Sequence, residues 1–371
     1  MRIILGIGNY SHGYGMPNVV HNLAKELLDQ GNDVLVLAGK GNLNDDVPLI
    51  KCGYNETLKH AYITKVTKKI FDLKPDIFHS HYYPMDFCGA ITSSRITHVM
   101  HVHGILKREY WTNMKATLEC IRSSFSEAVG IKFSAKVIAI SRYLKSDILR
   151  KYKIDPEKIE VIYPSINLEL YSPEKRSSLP RVFPNSEGIT LLSTGAISER
   201  KGQHLLVDVM KEVVEEEPMT RLYLFGRTGQ EDVSYLYKLQ NKIKKYCLEK
   251  NIFIKGFMET KFLPNAYAQA DIFVTGTMWE GFGMPLAEAM ASGIPVIAFN
   301  TAAMDELIVN KVNGLKVSPF NTKIFSEMVL SLIQNSRLRK ELSENARDFA
   351  ESKFGIQKNI CHLLDIYNSL T

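Results

Sequence analysis

The sequence lacks the features of several large protein classes. No stretch of the 371 residues holds the roughly 18 consecutive apolar residues that a membrane-spanning helix needs. The apolar start of the chain, residues 1–7, breaks at Gly8 and does not run on to the small-residue cleavage site of a signal peptide. We therefore expect a protein that stays in the cytoplasm.

Cysteine is also scarce. The five cysteines are an odd number, and none lies close to another in the sequence. That pattern fits reduced thiols in a core better than a disulfide framework or a zinc site. The composition, 45% hydrophobic and 23% charged, is ordinary for a globular protein. The length predicts two domains.

Two common nucleotide-binding signatures are missing as well. No Walker A sequence occurs, which argues against a P-loop NTPase. Gly6-Ile7-Gly8 lacks the third glycine of a dinucleotide fingerprint, because Ser11 stands there. No acid follows the second predicted strand, although NAD binding needs one for the ribose hydroxyl. These absences exclude the usual NAD-dependent enzymes.

The net charge of +6 comes from the first half of the chain. Residues 1–180 hold 24 basic and 18 acidic residues, and residues 107–153 alone hold 11 basic and 4 acidic ones. A concentrated basic region indicates an anionic partner, although a solvated surface is an equally good interpretation. The region lacks the interleaved aromatics of a single-strand platform and any DNA-binding motif, so we expect no nucleic acid.

Strands and helices alternate along the chain in two series, which predicts two doubly wound α/β domains in tandem. We predict a first domain over 1–168, a linker over 169–187 that is rich in proline and serine, and a second domain over 188–356. Ligands of open α/β sheets bind beyond the carboxyl ends of the strands, which favours a cleft between the domains as the site. The predicted strands are 2–7, 33–38, 77–79, 97–101, 136–140, 159–162, 189–194, 221–225, 252–255, 272–275, 294–298 and 314–317. The predicted helices are 17–30, 57–73, 112–134, 142–152, 203–217, 233–248, 261–269, 285–292 and those from 320 onward.

A pair of glutamates flanks the start of one predicted helix in the second domain. Pro285 suits the first helical position and Gly293 the left-handed position past the end. Glu280 therefore lies in the loop before the helix and Glu288 about one turn inside it. Free amides and the helix dipole at such an end attract phosphate or hydroxyl oxygens, and carboxylates accept hydrogen bonds from the diols of a sugar or ribose. The alternative is a capping acid and a surface acid.

Basic and glycine-rich loops follow other strands of the same domain. Arg200-Lys201-Gly202 would place positive charge at the carboxyl edge of the sheet, where a diphosphate would lie, unless the two cations are simply a surface pair. Gly226, and Gly256 with its neighbours Lys255 and Phe257, follow the next two strands. Their glycines would let a base or phosphate approach the backbone closely.

The first domain should then hold the acceptor. Gly15 precedes a helix and could offer its amide to a phosphate. His103, beside Gly104, ends a strand and is better placed at the sheet edge than His101. The alternative for a single histidine is a structural role.

With these motifs in view, the chain resembles glycosyltransferase family 4, the retaining, nucleotide-sugar-dependent enzymes of the GT-B fold. Glu280 and Glu288 match the Glu-x7-Glu signature of that family, and Arg200-Lys201-Gly202 resembles its diphosphate-binding segment. His103-Gly104 resembles the acceptor-side His-Gly, and Gly15 the second glycine of its usual Gly-Gly pair. The chain departs from the family at the first glycine, which is Tyr14 here, and at Pro17, where family members often have glutamate.

The resemblance implies a role for each matched position. Arg200 and Lys201 would neutralise the donor pyrophosphate and stabilise the leaving nucleoside diphosphate. Glu288 would hold the ribose, His103 would contact the sugar and the reacting centre, and Gly15 would place its amide against a phosphate. Glu280 would bind the hydroxyls of the transferred sugar with help from the backbone of Phe282, Gly283 and Met284. The last helix, from about residue 357, would cross back onto the first domain.

The expected reaction is transfer of a hexose or N-acetylhexosamine from a UDP- or GDP-sugar to a glycan or lipid-phosphate-linked acceptor, in polysaccharide or glycoconjugate synthesis. No Asp-x-Asp sequence occurs to hold a divalent metal, so we expect no metal and no cofactor. The basic first half favours peripheral contact with an anionic membrane. The alternatives are another reaction on the same fold, such as a nucleotide-sugar 2-epimerase or a phosphorylase, and a sugar- or nucleotide-binding protein without activity.

Overall fold

The structure of the chain is a computed structural model that describes residues 1–11, 15–41, 46–53, 59–105, 114–174, 180–184 and 187–371. The chain divides into two compact units. The first consists of Met1–Ser165 and Ile356–Thr371, and the second of Ile166–Gly355. The residues that we predicted as a linker therefore belong with the second unit, where the guanidinium of Arg347 donates hydrogen bonds to the carbonyls of Leu168 and Tyr171.

The first unit is built on a seven-stranded sheet whose described strand pairs are all parallel, in the order β3-β2-β1-β4-β5-β6-β7. Apolar side chains on both faces bury the sheet, as parallel sheets with helices on both sides require. Its strands are β1 (Arg2–Asn9), β2 (Asp33–Lys40), β3 (Leu49–Lys51), β4 (Ile77–His81), β5 (Thr97–Val102), β6 (Lys136–Ala139) and β7 (Ile159–Val161). Its helices are α1 (Gly15–Asp29), α2 (Lys59–Leu73), α3 (Met85–Thr92), α4 (Met114–Phe133), α5 (Arg142–Tyr152) and α13 (Ile356–Leu370).

The second unit has a six-stranded parallel sheet in the order β10-β9-β8-β11-β12-β13. Its strands are β8 (Thr190–Thr194), β9 (Arg221–Phe225), β10 (Ile252–Gly256), β11 (Ile272–Thr275), β12 (Val296–Phe299) and β13 (Leu315–Val317). Its helices are α6 (Gln203–Glu216), α7 (Val233–Lys245), α8 (Leu263–Gln269), α9 (Met284–Ala291), α10 (Met304–Leu307), α11 (Thr322–Gln334) and α12 (Ser336–Phe354). The prediction of two doubly wound α/β domains is confirmed.

Each sheet reverses its winding direction at one point. In the first unit the reversal lies between β1 and β4, and in the second between β8 and β11. The loops after these strands diverge to opposite faces and leave a crevice at the carboxyl edge, which is where open α/β sheets bind ligands. The fold therefore points to the loops after β1 and β4 and to those after β8 and β11.

The final helix belongs to the first unit. Ile360, Leu363, Ile366 and Tyr367 of α13 are buried in the core formed by β1, β2 and α1. The chain thus returns to the first unit after completing the second, as the resemblance implied for a helix from about residue 357. None of the described helices is long and apolar enough to cross a membrane.

Three short elements were not predicted: β3, α3 and α10. Each spans at most eight residues, which is too short for a period of two or 3.6 to stand out. The strand predicted from residue 294 begins at Val296 instead, because Pro295 has no N–H for the ladder. The helix predicted over 261–269 begins at Leu263, after a 3-10 turn over Thr260–Phe262. The predicted starts at 57 and 112 fall outside the described residues.

Candidate active site

The loops at the winding reversal of the second unit bring three predicted residues together. Arg200 and Lys201 follow β8 and Glu280 follows β11. The ammonium of Lys201 donates to Glu280 Oε2, and a guanidinium nitrogen of Arg200 lies 3.5 Å from the same oxygen and 2.8 Å from the carbonyl of Trp279. The trio carries a net charge of +1. It forms a fixed cationic group at the carboxyl edge of the sheet.

Burial and charge act in opposite directions on Glu280. Its side chain is only 21% exposed, and this burial alone would raise the pKa of the carboxyl. Lys201 and Arg200 outweigh that effect and hold the pKa below its usual value. Glu280 is therefore ionised at neutral pH, and its negative charge is shared between the two cations.

The two loops touch through their backbones, and glycine makes this approach feasible. Gly202 has a φ of +64°, and a Cβ there would lie 1.9 Å from the carbonyl oxygen of Gly276. A Cβ on Gly276 would meet the carbonyl oxygen of Gly202 at 2.3 Å. Glycine at both positions thus lets the Arg200-Lys201 turn lie directly against the loop that carries Glu280.

Glu288 lies inside α9, away from that ion pair, and two tyrosines hold its carboxyl. The hydroxyl of Tyr267, from α8, donates to Glu288 Oε2 at 2.8 Å, and Tyr171 also hydrogen-bonds to this carboxyl. Burial raises the pKa of Glu288 to about 7 in spite of these two hydrogen bonds. Sequence reasoning missed both tyrosines as partners, because nothing in their spacing links them to the glutamate.

Helix α9 begins one residue before its predicted start, so Pro285 is its second residue and not its first. Pro285 lies in the first turn, and Gly293 follows the end of the helix with a φ of +64°. Gly283, just before the helix, has a φ of +105°, and a Cβ there would lie 2.3 Å from Cε of Met304. The ring of Phe282 packs against Phe354 and is buried, so a ligand contact through the backbone of Phe282 stays a prediction.

The loops after β9 and β10 carry the other residues predicted to bind donor. A Cβ on Gly226 would lie 1.7 Å from the carbonyl oxygen of Gly195, so this loop too packs against the one after β8. Gly256 has a φ of +72°. The guanidinium of Arg227 lies 3.9 Å from the ring centre of Phe257. The ammonium of Lys255 is 5.4 Å from the ring centre of Phe253.

The winding reversal of the first unit holds a cavity of about 430 Å³. Gly15 lies on its wall at the start of α1, and no atom of the described residues lies within 4 Å of the place where a Cβ on Gly15 would be. The remaining wall comes from the ends of β1, β2 and β4, from the first turn of α1 and from the loop after β4: Gly8, Asn9, Met16, Pro17, Lys40, His81, Tyr82, Tyr83 and Pro84. The cavity is large enough for a sugar unit.

His103 reaches this wall through a second histidine. Its Nε2 lies 3.0 Å from Nδ1 of His81, and its ring stacks on His101 at 4.6 Å between centres. His79 continues the stack beside His81 and His101, at 4.5 and 5.2 Å. Burial lowers the pKa of His103 to about 4 and that of His79 to about 3, so the rings are neutral. The sequence singled out His103 alone, whereas the structure shows it as the end of a stack of four.

Comparison with known proteins identifies the family of the chain. The family model of glycosyltransferase family 4 matches residues 14–170, and that of the glycosyl transferases group 1 matches residues 175–349. The uncharacterized glycosyltransferase MJ1178 of Methanocaldococcus jannaschii is 26% identical over 100% of this chain and 99% of its own length. Mannosylfructose-phosphate synthase of Agrobacterium fabrum is 25% identical over 79% of this chain and 69% of its own.

Solved structures extend the likeness to the fold. The structure of Anabaena Alr3699/HepE in complex with UDP-glucose has a TM-score of 0.85 and is 21% identical, and the match covers 100% of both chains. This likeness shows the GT-B fold that the sequence predicted. The two family models lie end to end and cover most of the sequence, one on each half. The chain therefore belongs to the glycosyltransferases, with a family 4 amino-terminal half and a group 1 carboxyl-terminal half.

Proposed function

We propose that the protein transfers a hexose or N-acetylhexosamine, with retention of configuration and without a metal at the diphosphate, from a UDP- or GDP-sugar to a glycan or lipid-linked acceptor. The observation that carries this proposal is the Arg200-Lys201-Glu280 group at the winding reversal of the second unit. It combines fixed positive charge with a carboxylate at the edge where α/β sheets bind nucleotides. The UDP-glucose complex of HepE supports a nucleotide-sugar donor and favours UDP.

Departure of the nucleoside diphosphate is the difficult step of such a reaction. The bond from C1 of the sugar to the diphosphate oxygen breaks, and a bond from C1 to the acceptor oxygen forms on the same face. The proton of the acceptor hydroxyl passes to the departing diphosphate. Arg200 and Lys201 would stabilise the charge that develops on the diphosphate, and preorganised charge of this kind lowers the barrier without reorganisation.

Sugar and ribose would be held by different carboxylates. Glu280 would accept hydrogen bonds from the transferred sugar while Lys201 turns toward the diphosphate. Glu288, fixed by Tyr267 and Tyr171, would accept hydrogen bonds from the ribose. In the first unit, the cavity beside Gly15 and His81 would hold the acceptor sugar, and His103 would contact the reacting centre.

Contact with an anionic membrane would bring a lipid-linked acceptor to the enzyme. Helix α4 exposes Ile121, Phe125 and Phe133, at 49, 60 and 52%, and carries Arg122 and Lys132 beside them. Apolar side chains next to cations favour an anionic bilayer surface. The fraction of protein that co-sediments with anionic vesicles should fall as the salt concentration rises. A fraction that does not depend on salt would refute an electrostatic contribution to membrane binding.

The function is tested with purified protein and a panel of nucleotide-sugars. A donor at 100 times its dissociation constant should add about 2.7 kcal/mol of stability, which a thermal shift detects. Glu280→Ala should keep nucleotide binding and lose transfer, whereas Glu212→Ala, an exposed residue of α6, should keep both. Full transfer by Glu280→Ala would refute this site, and donor turnover without acceptor would favour a 2-epimerase. Binding without any turnover would favour a binding protein.

A further inference from the structure

Three buried histidines of the first unit bring their ring nitrogens together. His79 and His81 lie on one face of β4, and His101 lies directly opposite His81 on β5. The three rings are 0, 0 and 6% exposed. One nitrogen from each can be chosen so that all three lie within 4.8 Å of one another. The strand register, rather than a flexible loop, sets this arrangement.

The nitrogens in question lack partners. Among the described residues, Nε2 of His79, Nε2 of His81 and both nitrogens of His101 have no hydrogen-bond partner. Buried polar atoms are nearly always paired in folded proteins, so a cluster of unpaired ones requires an explanation. A neutral imidazole nitrogen with a free lone pair is also the form of histidine that ligates a metal.

We propose that His79, His81 and His101 bind one divalent transition-metal ion, with Zn²⁺ as the first candidate. Three imidazoles and a water form a familiar tetrahedral set for zinc, with Zn–N distances of about 2.0–2.1 Å. At such distances the three nitrogens lie roughly 3.3 Å apart, so they must close in from the 4.8 Å within which they lie here. Nitrogen ligands suit Zn²⁺, Cu²⁺ and Ni²⁺, and do not suit Mg²⁺ or Ca²⁺.

The surroundings of the cluster fit a ligated site. Metal-bound histidines usually use their second ring nitrogen to hold a partner that fixes the ring. His79 does so through Nδ1, which contacts the hydroxyl of Tyr367, and His81 through Nδ1, which lies 3.0 Å from Nε2 of His103. This leaves Nε2 of each of these two rings available to a metal ion.

A small cavity beside His101 provides room for the fourth ligand. Its volume is about 30 Å³, which exceeds the roughly 10–15 Å³ that one water needs. Glu26, Asn22 and Asn359 share its wall with His101, and Oε1 of Glu26 has no hydrogen-bond partner among the described residues. A metal-bound water in this cavity would find an acceptor there.

The ion would also position His103. With Nε2 of His81 on the metal, Nδ1 of His81 must carry the hydrogen and donate it to Nε2 of His103. The tautomer and ring orientation of His103 would then be fixed. This consequence rests on the proposed role of His103, whereas the metal site rests on the histidine cluster alone.

The experiment uses untagged, full-length protein stripped with a chelator and titrated with Zn²⁺ and with Co²⁺. We expect one equivalent of either ion per chain, with a visible Co²⁺ spectrum typical of tetrahedral coordination. His101→Phe keeps the stacked ring and removes both nitrogens, so it should weaken binding by at least about 100-fold. His98→Phe is the matched control, because His98 is another buried histidine of β5 that lies outside the cluster, and it should bind like the unaltered protein.

Two results would overturn the proposal. One is failure of the unaltered protein to take up any of Zn²⁺, Co²⁺, Cu²⁺ or Ni²⁺, and the other is equal uptake by His101→Phe. If His101→Phe does not fold, X-ray absorption of the unaltered protein with Zn²⁺ decides the matter. Three imidazole ligands at about 2.0–2.1 Å support the site, and fewer than three contradict it. None of these measurements depends on transfer activity, so failure of the metal site leaves the proposed function intact.

Discussion

Replacing Glu280 by glutamine should tighten the binding of nucleoside diphosphate and slow sugar transfer at the same time. In the structure the carboxylate of Glu280 is shared by Lys201 and Arg200. A diphosphate that enters this group must therefore compete with Glu280 for the two cations. Glutamine keeps the size and planarity of the side chain but removes the charge, so the net charge of the trio rises from +1 to +2.

The magnitude follows from Coulomb's law. One unit charge acts on another about 6 Å away with about 3 kcal/mol at an effective dielectric constant of about 20. The side chain of Arg200 is 35% exposed and that of Lys201 11%, so water screens part of this energy. If about half remains, some 1.4 kcal/mol, the dissociation constant of UDP should fall about tenfold. Transfer should slow because glutamine cannot accept hydrogen bonds from the sugar as strongly as a carboxylate does.

Isothermal titration with UDP measures the binding of nucleoside diphosphate. A transfer assay with the donor found in the nucleotide-sugar screen measures the rate of sugar transfer. Glu212→Gln is the matched control, because it makes the same change of charge at an exposed pair on α6, where both side chains are about half exposed. It should alter neither quantity. Weaker UDP binding by Glu280→Gln, or unchanged binding together with unchanged transfer, would refute the assignment of Arg200 and Lys201 to the diphosphate.

Three further predictions concern the support of the site. The pKa of Glu288 is raised from 4.5 to about 7, so its protonated form stabilises the fold below pH 4.5 and that contribution to the free energy of unfolding is lost as the pH rises to about 7. Urea unfolding at pH 5 and at pH 8 measures this loss, which is up to about 3 kcal/mol and should be absent from Glu288→Gln. An unchanged difference between the two pH values in the variant would contradict the prediction. Tyr267→Phe removes the hydroxyl that donates to Glu288, so it should cost about 1 kcal/mol of stability and weaken UDP binding. Tyr246→Phe, at the end of α7, is the control and should leave UDP binding unchanged. Equal UDP affinity in both variants would count against the role of Tyr267. Gly202→Ala should destabilise the protein by more than about 1 kcal/mol, because residue 202 has a positive φ and the added Cβ would lie 1.9 Å from a carbonyl oxygen. Gly15→Ala is the control and should leave the melting temperature unchanged. Similar melting temperatures of the two variants would refute the close approach of the two loops.

Much of the fold was predictable because apolar strands and amphipathic helices alternate along the chain. The strand over 221–225, the strand over 272–275 and the helix over 142–152 agree with the structure residue for residue. The helix has Ser141 before it, whose Oγ accepts from the amide of Leu144 at 2.9 Å, so a local signal fixes its start. The order of the strands in each sheet was not predictable, because crossovers between parallel strands leave no local signal in the sequence.

The candidate site was predictable where its residues share a loop or a turn. Arg200 and Lys201 are adjacent, and Glu280 and Glu288 are separated by a recognisable helix start. The partners that fix them come from distant parts of the chain: Tyr171 and Tyr267 for Glu288, and His81 for His103. The spacing of His79 and His81 places both on one face of β4, but only the pairing of β4 with β5 brings His101 to them.

The two units use the same position in their sheets but satisfy their polar groups in different ways. At the reversal in the second unit, the two cations share the carboxylate of Glu280, so a diphosphate that bound them would replace a carboxylate as their partner. In the first unit, burial keeps the histidines neutral, and several of their nitrogens have no hydrogen-bond partner within the part of the chain that the structure describes. In the ligand-free protein the groups of an ion pair still have partners, so the cost in stability is small. Unpaired buried nitrogens, in contrast, destabilise the fold until a ligand binds them. The first arrangement therefore suits a substrate that binds and dissociates in every turnover, and the second suits a ligand that remains bound.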